Sequence, residues 1–234
     1  MYRAFTVSLI FLLFLTTCKK DPVQPGLPEH SQKYSVCLNV TTMQTESRAD
    51  FGYPTNKTAL GSGYWITCNG VNCAMQTGNP PLTPSTGPSY YYTCTQSGFV
   101  DAHFKFRKPD GSIFENLVDH TEISLIDFSV NPGSVSVTDT IIIPFTGGPR
   151  LSNESISVSI FQSTSHFSYG YQPVSIGDTV IKLFPSNMTY LIPGSATITL
   201  MRRGPSHALD QADGNAGGSK QLSTKAVRSI TVTN

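Results

Sequence analysis

Apolar and polar residues alternate with a period of two along most of this chain, and this pattern restricts its fold. Ile156, Val158 and Ile160 alternate with serines, and residues 195–201 repeat the pattern with Ser and Thr. Such alternation is typical of a β-strand with one buried and one solvated face. No stretch after residue 18 keeps the apolar period of a helix over three turns, and Gly and Pro interrupt the chain at short intervals. The sequence therefore predicts an all-β fold of the sandwich or barrel type.

The charge balance excludes one class of partner. The formal net charge is +1, from 16 Lys and Arg against 15 Asp and Glu, which offers no general attraction for nucleic acid. Charged residues make up 13% of the chain, about half the usual share, and Ser and Thr take their place. Apolar residues at 38% are enough for a buried core, so we expect an ordered protein.

The first residues predict export. Arg3 precedes an apolar run over residues 4–15, which is too short to cross a bilayer core and has the features of a signal peptide. The next residues, Leu15-Thr16-Thr17-Cys18-Lys19-Lys20-Asp21, resemble the lipoprotein box of bacterial lipoproteins. With the Pro-rich stretch that follows, they are similar to lipoproteins of the Bacteroidota type.

This resemblance implies a signal peptide over residues 1–17 and a lipidated, Pro-rich tether over residues 18–30. Cys18 would carry acyl chains such as palmitate, and the protein would lie at the bacterial outer membrane or cell surface, facing an extracytoplasmic space. Two or more acyl chains anchor stably, whereas one anchors only marginally. The alternative is an ordinary secretory signal that leaves Cys18 as a free thiol or a disulfide partner.

Seven candidate strands fill the second half of the chain. They span residues 123–130, 140–145, 155–161, 166–171, 179–184, 195–201 and 226–233. Breakers such as Asn131-Pro132-Gly133 and Pro193-Gly194 lie between them. Seven strands in about 110 residues resemble an immunoglobulin-like or fibronectin-type sandwich, and residues 194–200 resemble its sixth strand. The resemblance implies an immunoglobulin-like domain over residues 119–234.

The first half also reads as strands, and we predict a β domain over residues 31–118. Candidate strands lie at 34–40, 63–68, 90–95, 99–107 and 112–117, the last two joined by a turn at 108–111, while the Pro-rich segment 77–88 is expected to be a solvated loop. Tyr92-Thr93-Cys94 resembles the tyrosine corner and second Cys of an immunoglobulin domain. Cys37 would then be the first Cys and Trp65 the core Trp. Another disulfide-stapled β module remains the alternative.

Cys37, Cys68, Cys73 and Cys94 form an even set in a chain predicted to be exported, where disulfides persist. We favour the pairs Cys68–Cys73 and Cys37–Cys94, because residues 69–72 read as a tight turn. Loop-closure entropy does not separate the three possible connectivities. No second Cys pair or nearby His accompanies Cys68 and Cys73, so no metal site is predicted.

The sequence offers no convincing catalytic motif. The five His are scattered, and no Gly-x-Ser-x-Gly elbow is present. We therefore expect neither an enzyme nor a cofactor.

Binding residues are expected in two places. One is the stretch 202–224, which reads as a long, charged connection between the last two strands and is of a length that tends to be functional or disordered. The other is the 90–92 strand, where Tyr91 would lie opposite its neighbours. The candidate binding residues are Tyr91, Arg202, Arg203, His207, Asp210 and Asp213.

These features predict a membrane-anchored, non-catalytic lipoprotein that acts as a binding or adhesion module, with a glycan or an envelope protein as partner. The functional part rests on analogy with what such sandwiches often do. The alternatives are a structural spacer or accessory subunit of an envelope assembly and, third, a hydrolase accessory protein.

Overall fold

The chain is all-β, which confirms the prediction from its alternation. The computed structural model describes residues 28–52, 59–78, 90–163 and 174–234, and the backbone alone at 167–170. Within these ranges there are 15 strands and one 3-10 turn. The same ranges contain no helix with the length and apolar character needed to span a membrane. The predicted signal peptide, Cys18 and most of the tether lie outside the described residues.

Eight strands come from the first half of the chain. They are β1 Gln32–Asn39, β2 Gln44–Phe51, β3 Trp65–Cys68, β4 Val71–Asn72, β5 Ala74–Thr77, β6 Tyr90–Ser97, β7 Ala102–Arg107 and β8 Ile113–Val118. The sequence predicts five of these and misses β2, β4 and β5.

Seven strands come from the second half, and two of them are long. They are β9 Ser134–Ser136, β10 Ile141–Pro144, β11 Ser155–Phe161, β12 Phe167–Gly170, β13 Val180–Leu183, β14 Gly194–His207 and β15 Gly218–Thr233. A 3-10 turn at Pro185–Asn187 follows β13. β14 and β15 have 14 and 16 residues and pair antiparallel along most of their length.

One large sheet unites both halves of the chain. Its strand order is β12-β11-β14-β15-β1-β2-β6-β5, and β9 also pairs with β15. β15 can carry two parallel partners because of its length: β1 lies along its first half, and β9 lies along its last residues. Two smaller sheets, β4-β3-β7-β8 and β10-β13, complete the fold.

Two hydrophobic cores lie on the inner face of the large sheet. The N-terminal core joins side chains of β1, β2 and β6 to those of β3, β7 and β8, and includes Tyr34, Phe51, Phe104 and Phe106. The C-terminal core joins β11, β14 and β15 to β10 and β13. The outward residues of β14, β15, β1, β2 and β6 form the opposite side, called here the outer face.

The long strand β15 contributes to both cores. Leu222 packs in the N-terminal core, whereas Ala226, Ile230 and Val232 pack in the C-terminal core. Ile123 also belongs to the N-terminal core. This core therefore draws on the chain beyond residue 118, where the sequence places a domain boundary.

The predicted strand at 123–130 is wrong. Only Phe128 forms an isolated bridge there, to Phe145. Ile123 packs in the N-terminal core and Ile126 in the C-terminal core, so this segment passes from one core to the other. Its apolar residues are therefore buried in two different cores and do not form the buried face of one strand.

Candidate functional site

An open groove of about 740 Å³ lies on the outer face of the large sheet. Five adjacent strands, β14, β15, β1, β2 and β6, supply its lining. The alternation of β1 explains the position: Tyr34, Val36 and Leu38 are buried in the core, so Lys33 and Cys37 point to the other side. A space of this size is within the range of ligand sites, roughly 300–1,000 Å³.

The groove carries more positive than negative charge. Its basic residues are Lys33, Arg48, Arg203 and Lys225, and its carboxylates are Glu46 and Asp50. Arg48 donates two hydrogen bonds to Asp50, at 2.9 and 2.7 Å, and Lys225 donates one to Glu46 at 2.6 Å. Both carboxylates are therefore already paired with cations of the protein.

Arg203 differs from the other basic groups of the groove. Among the described residues, its guanidinium has no ion-pair partner and donates no hydrogen bond to a side chain. Lys33, in contrast, lies opposite Asp50 in the β1–β2 register. A fixed cation without a protein partner in a groove favours an anionic ligand.

Tyr91 also lines the groove. The Arg48 guanidinium lies 4.0 Å from the centre of its ring, which is a cation–π contact. The next residue, Tyr92, is buried, and its hydroxyl accepts a hydrogen bond from the Leu60 N–H at 2.7 Å. Tyr91 and Arg203, two residues singled out from the sequence in separate elements, thus line one groove.

Cys37 lies on the lining of the groove as a free thiol. Burial raises the pKa of this thiol, against the smaller opposing effects of Ser223 and of the Lys225 charge. A raised pKa keeps the group protonated near neutral pH and makes it a poor nucleophile.

The predicted bond between Cys37 and Cys94 does not form. β2 lies between the two strands that carry these residues. Cys37 lies opposite Glu46 of β2, whereas Cys94 lies opposite the next residue, Ser47, so the two side chains point to opposite faces, and that of Cys94 packs in the N-terminal core. A disulfide cannot join side chains on opposite faces of a sheet across an intervening strand.

The predicted Cys68–Cys73 bond is also absent, because the turn has another register. Asn69 and Gly70 both have positive φ, 50° and 77°, and form a two-residue hairpin turn that pairs Cys68 with Val71. Cys73 lies beyond β4. Burial, with a smaller contribution from neighbouring thiols, raises the pKa of Cys68 to about 11 and that of Cys73 to about 12.

The predicted loop at 202–224 is mostly strand. β14 continues to His207 and β15 begins at Gly218, so ten residues, 208–217, connect them. Arg202 is buried on the core side, and its guanidinium donates hydrogen bonds to the carbonyls of Gly147 and Gly148, at 2.7 and 2.6 Å. These contacts hold Arg202 on the core side, and the structure does not bring its guanidinium to the groove.

The other charged residues of that stretch have partners within the fold. His207 is 3.5 Å from a Glu122 carboxylate oxygen, and the Asp210 carboxylate accepts hydrogen bonds from the Leu117 N–H and from Lys220. Asp213 is buried and accepts from Lys108. The structure does not bring these three residues to the groove.

One group of possible metal ligands occurs in the described part of the chain: Asp101, Asp119 and His120. The Asp101 carboxylate accepts a hydrogen bond of 2.9 Å from the backbone N–H of His120. The same carboxylate oxygen lies 2.7 Å from Nδ1 of the His120 ring. Asp119 accepts from the backbone N–H of Thr121. These exposed groups stabilise a turn, which accounts for their arrangement.

Sequence reasoning misses most of the groove. Lys33, Arg48 and Lys225 were not singled out, and β2, which carries Arg48, was not predicted. A signal was present in β1, where Lys33, Ser35 and Cys37 occupy the polar positions of an alternating strand. The sequence matches no protein-family model, and no curated protein shows significant similarity to it.

Proposed function

We propose that this protein is a non-catalytic binding module whose ligand, an acidic glycan, lies in the groove on the outer face of the large sheet. The observation that carries the proposal is the excess of cations in the groove, with Arg203 left without an ion-pair partner among the described residues. Carboxylates of a uronic acid chain would form charge-assisted hydrogen bonds with such a guanidinium.

The neutral part of the lining supports a sugar chain as the ligand. Ser35, Thr93 and Gln221 line the groove beside the charged residues. Hydroxyl and amide groups both donate and accept hydrogen bonds, so they suit the hydroxyl groups of a glycan. The groove crosses five strands and is open to solvent, which fits an extended polymer better than a small metabolite.

Two features favour binding over catalysis. Glu46 and Asp50 are held in ion pairs with Lys225 and Arg48, which leaves neither as a poised general acid or base. The thiol of Cys37 has a raised pKa, so it lacks the thiolate character of a catalytic nucleophile.

The cellular part of the proposal comes from the sequence. Acylation of Cys18 would anchor the module to the outer membrane or cell surface and leave the groove in an extracytoplasmic space. Mass spectrometry of the mature protein tests this: we expect an acylated Cys18. Cys18→Ser should release the protein into the soluble fraction.

We also propose that the C-terminal core belongs to an immunoglobulin-like sandwich. Its strands form a sheet in the order β12-β11-β14-β15-β9, opposed by the pair β10-β13. This order supports the assignment, because it corresponds to the C′-C-F-G side and the B–E pair of such domains.

Titration of the soluble Cys18→Ser protein with polygalacturonate, followed by calorimetry, tests the glycan proposal. We expect binding that weakens with salt, and no binding of neutral dextran. Arg203→Ser should weaken binding about 10- to 100-fold, since hydrogen bonds to charged groups contribute about 1.5–3 kcal/mol. Lys182→Ser is the matched control, because Lys182 is an exposed cation on β13, outside the groove.

Equal affinities of Arg203→Ser and Lys182→Ser would contradict the assignment of the groove, as would the absence of polygalacturonate binding. Capture of polyglutamate without polygalacturonate would assign the groove to acidic peptides and overturn the glycan proposal.

A second candidate function, a structural spacer, is favoured by the long strands. β15 runs from one core to the other without interruption by a linker, and β14 pairs with it along most of its length. Such a connection suits a rigid rod. A spacer would show the same affinity for polygalacturonate, or none, in the wild-type protein and the Arg203→Ser variant.

A further inference from the structure

Three side chains form a row across the outward side of the four-stranded sheet. Trp65 on β3 lies opposite Arg107 on β7, and Arg107 lies opposite Ile113 on β8. Trp65 is 49% exposed and Ile113 is 51% exposed. This set is called here the tether-end row.

The indole of Trp65 presents its apolar part to solvent. Its Nε1–H donates a hydrogen bond to the side-chain oxygen of Asn72 on the neighbouring strand β4. The one polar group of the ring is therefore satisfied within the protein. Arg107, beside it, makes no ion pair or side-chain hydrogen bond with any described residue.

The tether-end row lies at the end of the sheet where the tether reaches the fold. Lys108 follows Arg107 directly, and its ammonium group donates a hydrogen bond to the carbonyl of Pro28 at 3.2 Å. Asp213 accepts from Lys108 at 3.0 Å and from the backbone N–H of His30 at 2.8 Å. These buried contacts fix the point at which the chain leaves toward Cys18.

The distance from this point to a lipid anchor is short. Nine residues separate Cys18 from Pro28, so an extended chain spans at most about 35 Å between them. An anchor this close holds the row near the bilayer, so the effective concentration of lipid surface around it is high. Even a weak contact between the row and the bilayer is then populated.

We propose that the tether-end row contacts the surface of the bilayer in which Cys18 is anchored. The inference rests on the lipid anchor of the proposed function and is independent of the groove. Trp is enriched at membrane–water interfaces, and a neighbouring Ile adds apolar area. Arg107 would bind lipid phosphates. Lys105 and Glu115 pair with each other beside the row, and the Asp110 carboxylate in the hairpin turn accepts a hydrogen bond from the Ser112 N–H.

Two apolar side chains are too few to hold the protein on a membrane without the anchor. The row would instead orient the anchored protein, with the four-stranded sheet toward the lipid and the groove on the large sheet free for a ligand. The contact thus gives the binding module a fixed direction.

The fluorescence of Trp65 tests this proposal without a label, because the chain contains one Trp. The full acylated protein is incorporated into vesicles of phosphatidylcholine and phosphatidylglycerol with brominated acyl chains. We expect the emission of the anchored protein to lie at shorter wavelengths than that of the soluble Cys18→Ser protein. We also expect its intensity to be lower than in the same vesicles without bromine. The Cys18→Ser protein, mixed with the same vesicles, should show neither change.

The matched control moves the indole along the same side of the sheet. In Trp65→Phe combined with Leu117→Trp, the new indole lies on β8 opposite His103, four residues from Ile113 and about 13 Å farther from the tether. We expect no quenching of this variant. Equal quenching of both proteins would mean that the anchored protein has no preferred orientation and would overturn the proposal.

Other outcomes are equally decisive. An acylated protein whose Trp65 is not quenched contradicts the contact itself. Absence of the acyl mass at Cys18 removes the anchor on which the contact depends and also overturns it, while glycan binding by the soluble protein is unaffected. An emission shift caused by soluble dextran alone would assign the row to a sugar instead of a bilayer.

Discussion

Removing one partner of the buried ion pair between Lys108 and Asp213 should destabilise this fold more than removing one partner of an exposed ion pair. The ammonium group lies 3.0 Å from the carboxylate, and the two side chains are only 6% and 4% exposed. The Asp213 carboxylate also accepts a hydrogen bond from the backbone N–H of His30. Asp213→Ala would leave a buried ammonium group with the Pro28 carbonyl as its remaining partner.

The expected cost of Asp213→Ala is about 3–5 kcal/mol, the range found when one partner of a buried pair is removed. For a protein of this size, such a loss lowers the melting temperature by roughly 10 °C. Urea unfolding of the soluble Cys18→Ser protein, monitored by circular dichroism, measures the loss. Replacing both partners, as in Lys108→Met with Asp213→Leu, should cost less, because no charge is then left unpaired.

Glu115→Ala provides the matched control. Glu115 pairs with Lys105 at 2.9 Å, nearly the same distance, but these side chains are 38% and 48% exposed. Solvent screens such a pair, so we expect a much smaller change. Equal losses of stability in Asp213→Ala and Glu115→Ala would refute the reasoning from burial.

Three further predictions concern the same part of the molecule. Burial holds the pKa of His30 below its usual 6.5, although Asp213 acts in the opposite direction. The unfolded chain therefore binds a proton at His30 more readily than the folded protein, and the free energy of unfolding should fall as the pH drops below about 6.5. His30→Gln should reduce the fall in melting temperature between about pH 7.5 and 5.5. Cys68 and Cys73, with raised pKa values, should react slowly with iodoacetamide at about pH 7.5 in the folded protein and rapidly in urea, as mass spectrometry would detect. Replacement of residues 208–217 by an Asn-Gly turn should destabilise the protein, since it removes Asp213; an unchanged urea midpoint would contradict the packed connection.

The alternation of side chains was sufficient to predict the class of the fold and most strands. It failed for β2, whose sequence is Gln-Thr-Glu-Ser-Arg-Ala-Asp-Phe. The inward positions of β2 include Thr45 and Ser47, which are buried although they are polar. The Thr45 hydroxyl donates a hydrogen bond to the Gly98 carbonyl and accepts one from the Val100 N–H, and both bonds join residues far apart in sequence.

The long strands were truncated in prediction for a related reason. Arg202 and Gly204 occupy core-side positions where an apolar residue is expected. Two nitrogens of the Arg202 guanidinium donate hydrogen bonds to carbonyls of a distant turn. A side chain at Gly204 would collide with Ile123, which packs against this glycine. Neither of these long-range contacts can be inferred from the local sequence pattern, so the pattern predicted a loop for this stretch.

The groove was only partly predictable for a topological reason. Tyr91 and Arg203 could be proposed as solvent-facing residues, but their proximity depends on β15 pairing in parallel with β1. That pairing joins residues nearly 190 positions apart, and no periodicity in the sequence encodes it. The charges that surround Arg203 therefore became visible only in the folded sheet.

Amide chemical shifts of the isotope-labelled, soluble protein during titration with polygalacturonate fragments show which residues contact the ligand. We expect the largest changes on outward residues of β1, β2, β6, β14 and β15, with Lys33, Arg48 and Arg203 among them. Changes concentrated elsewhere on the molecule, or none at saturating fragment concentration, would contradict the claim that this groove binds an acidic glycan.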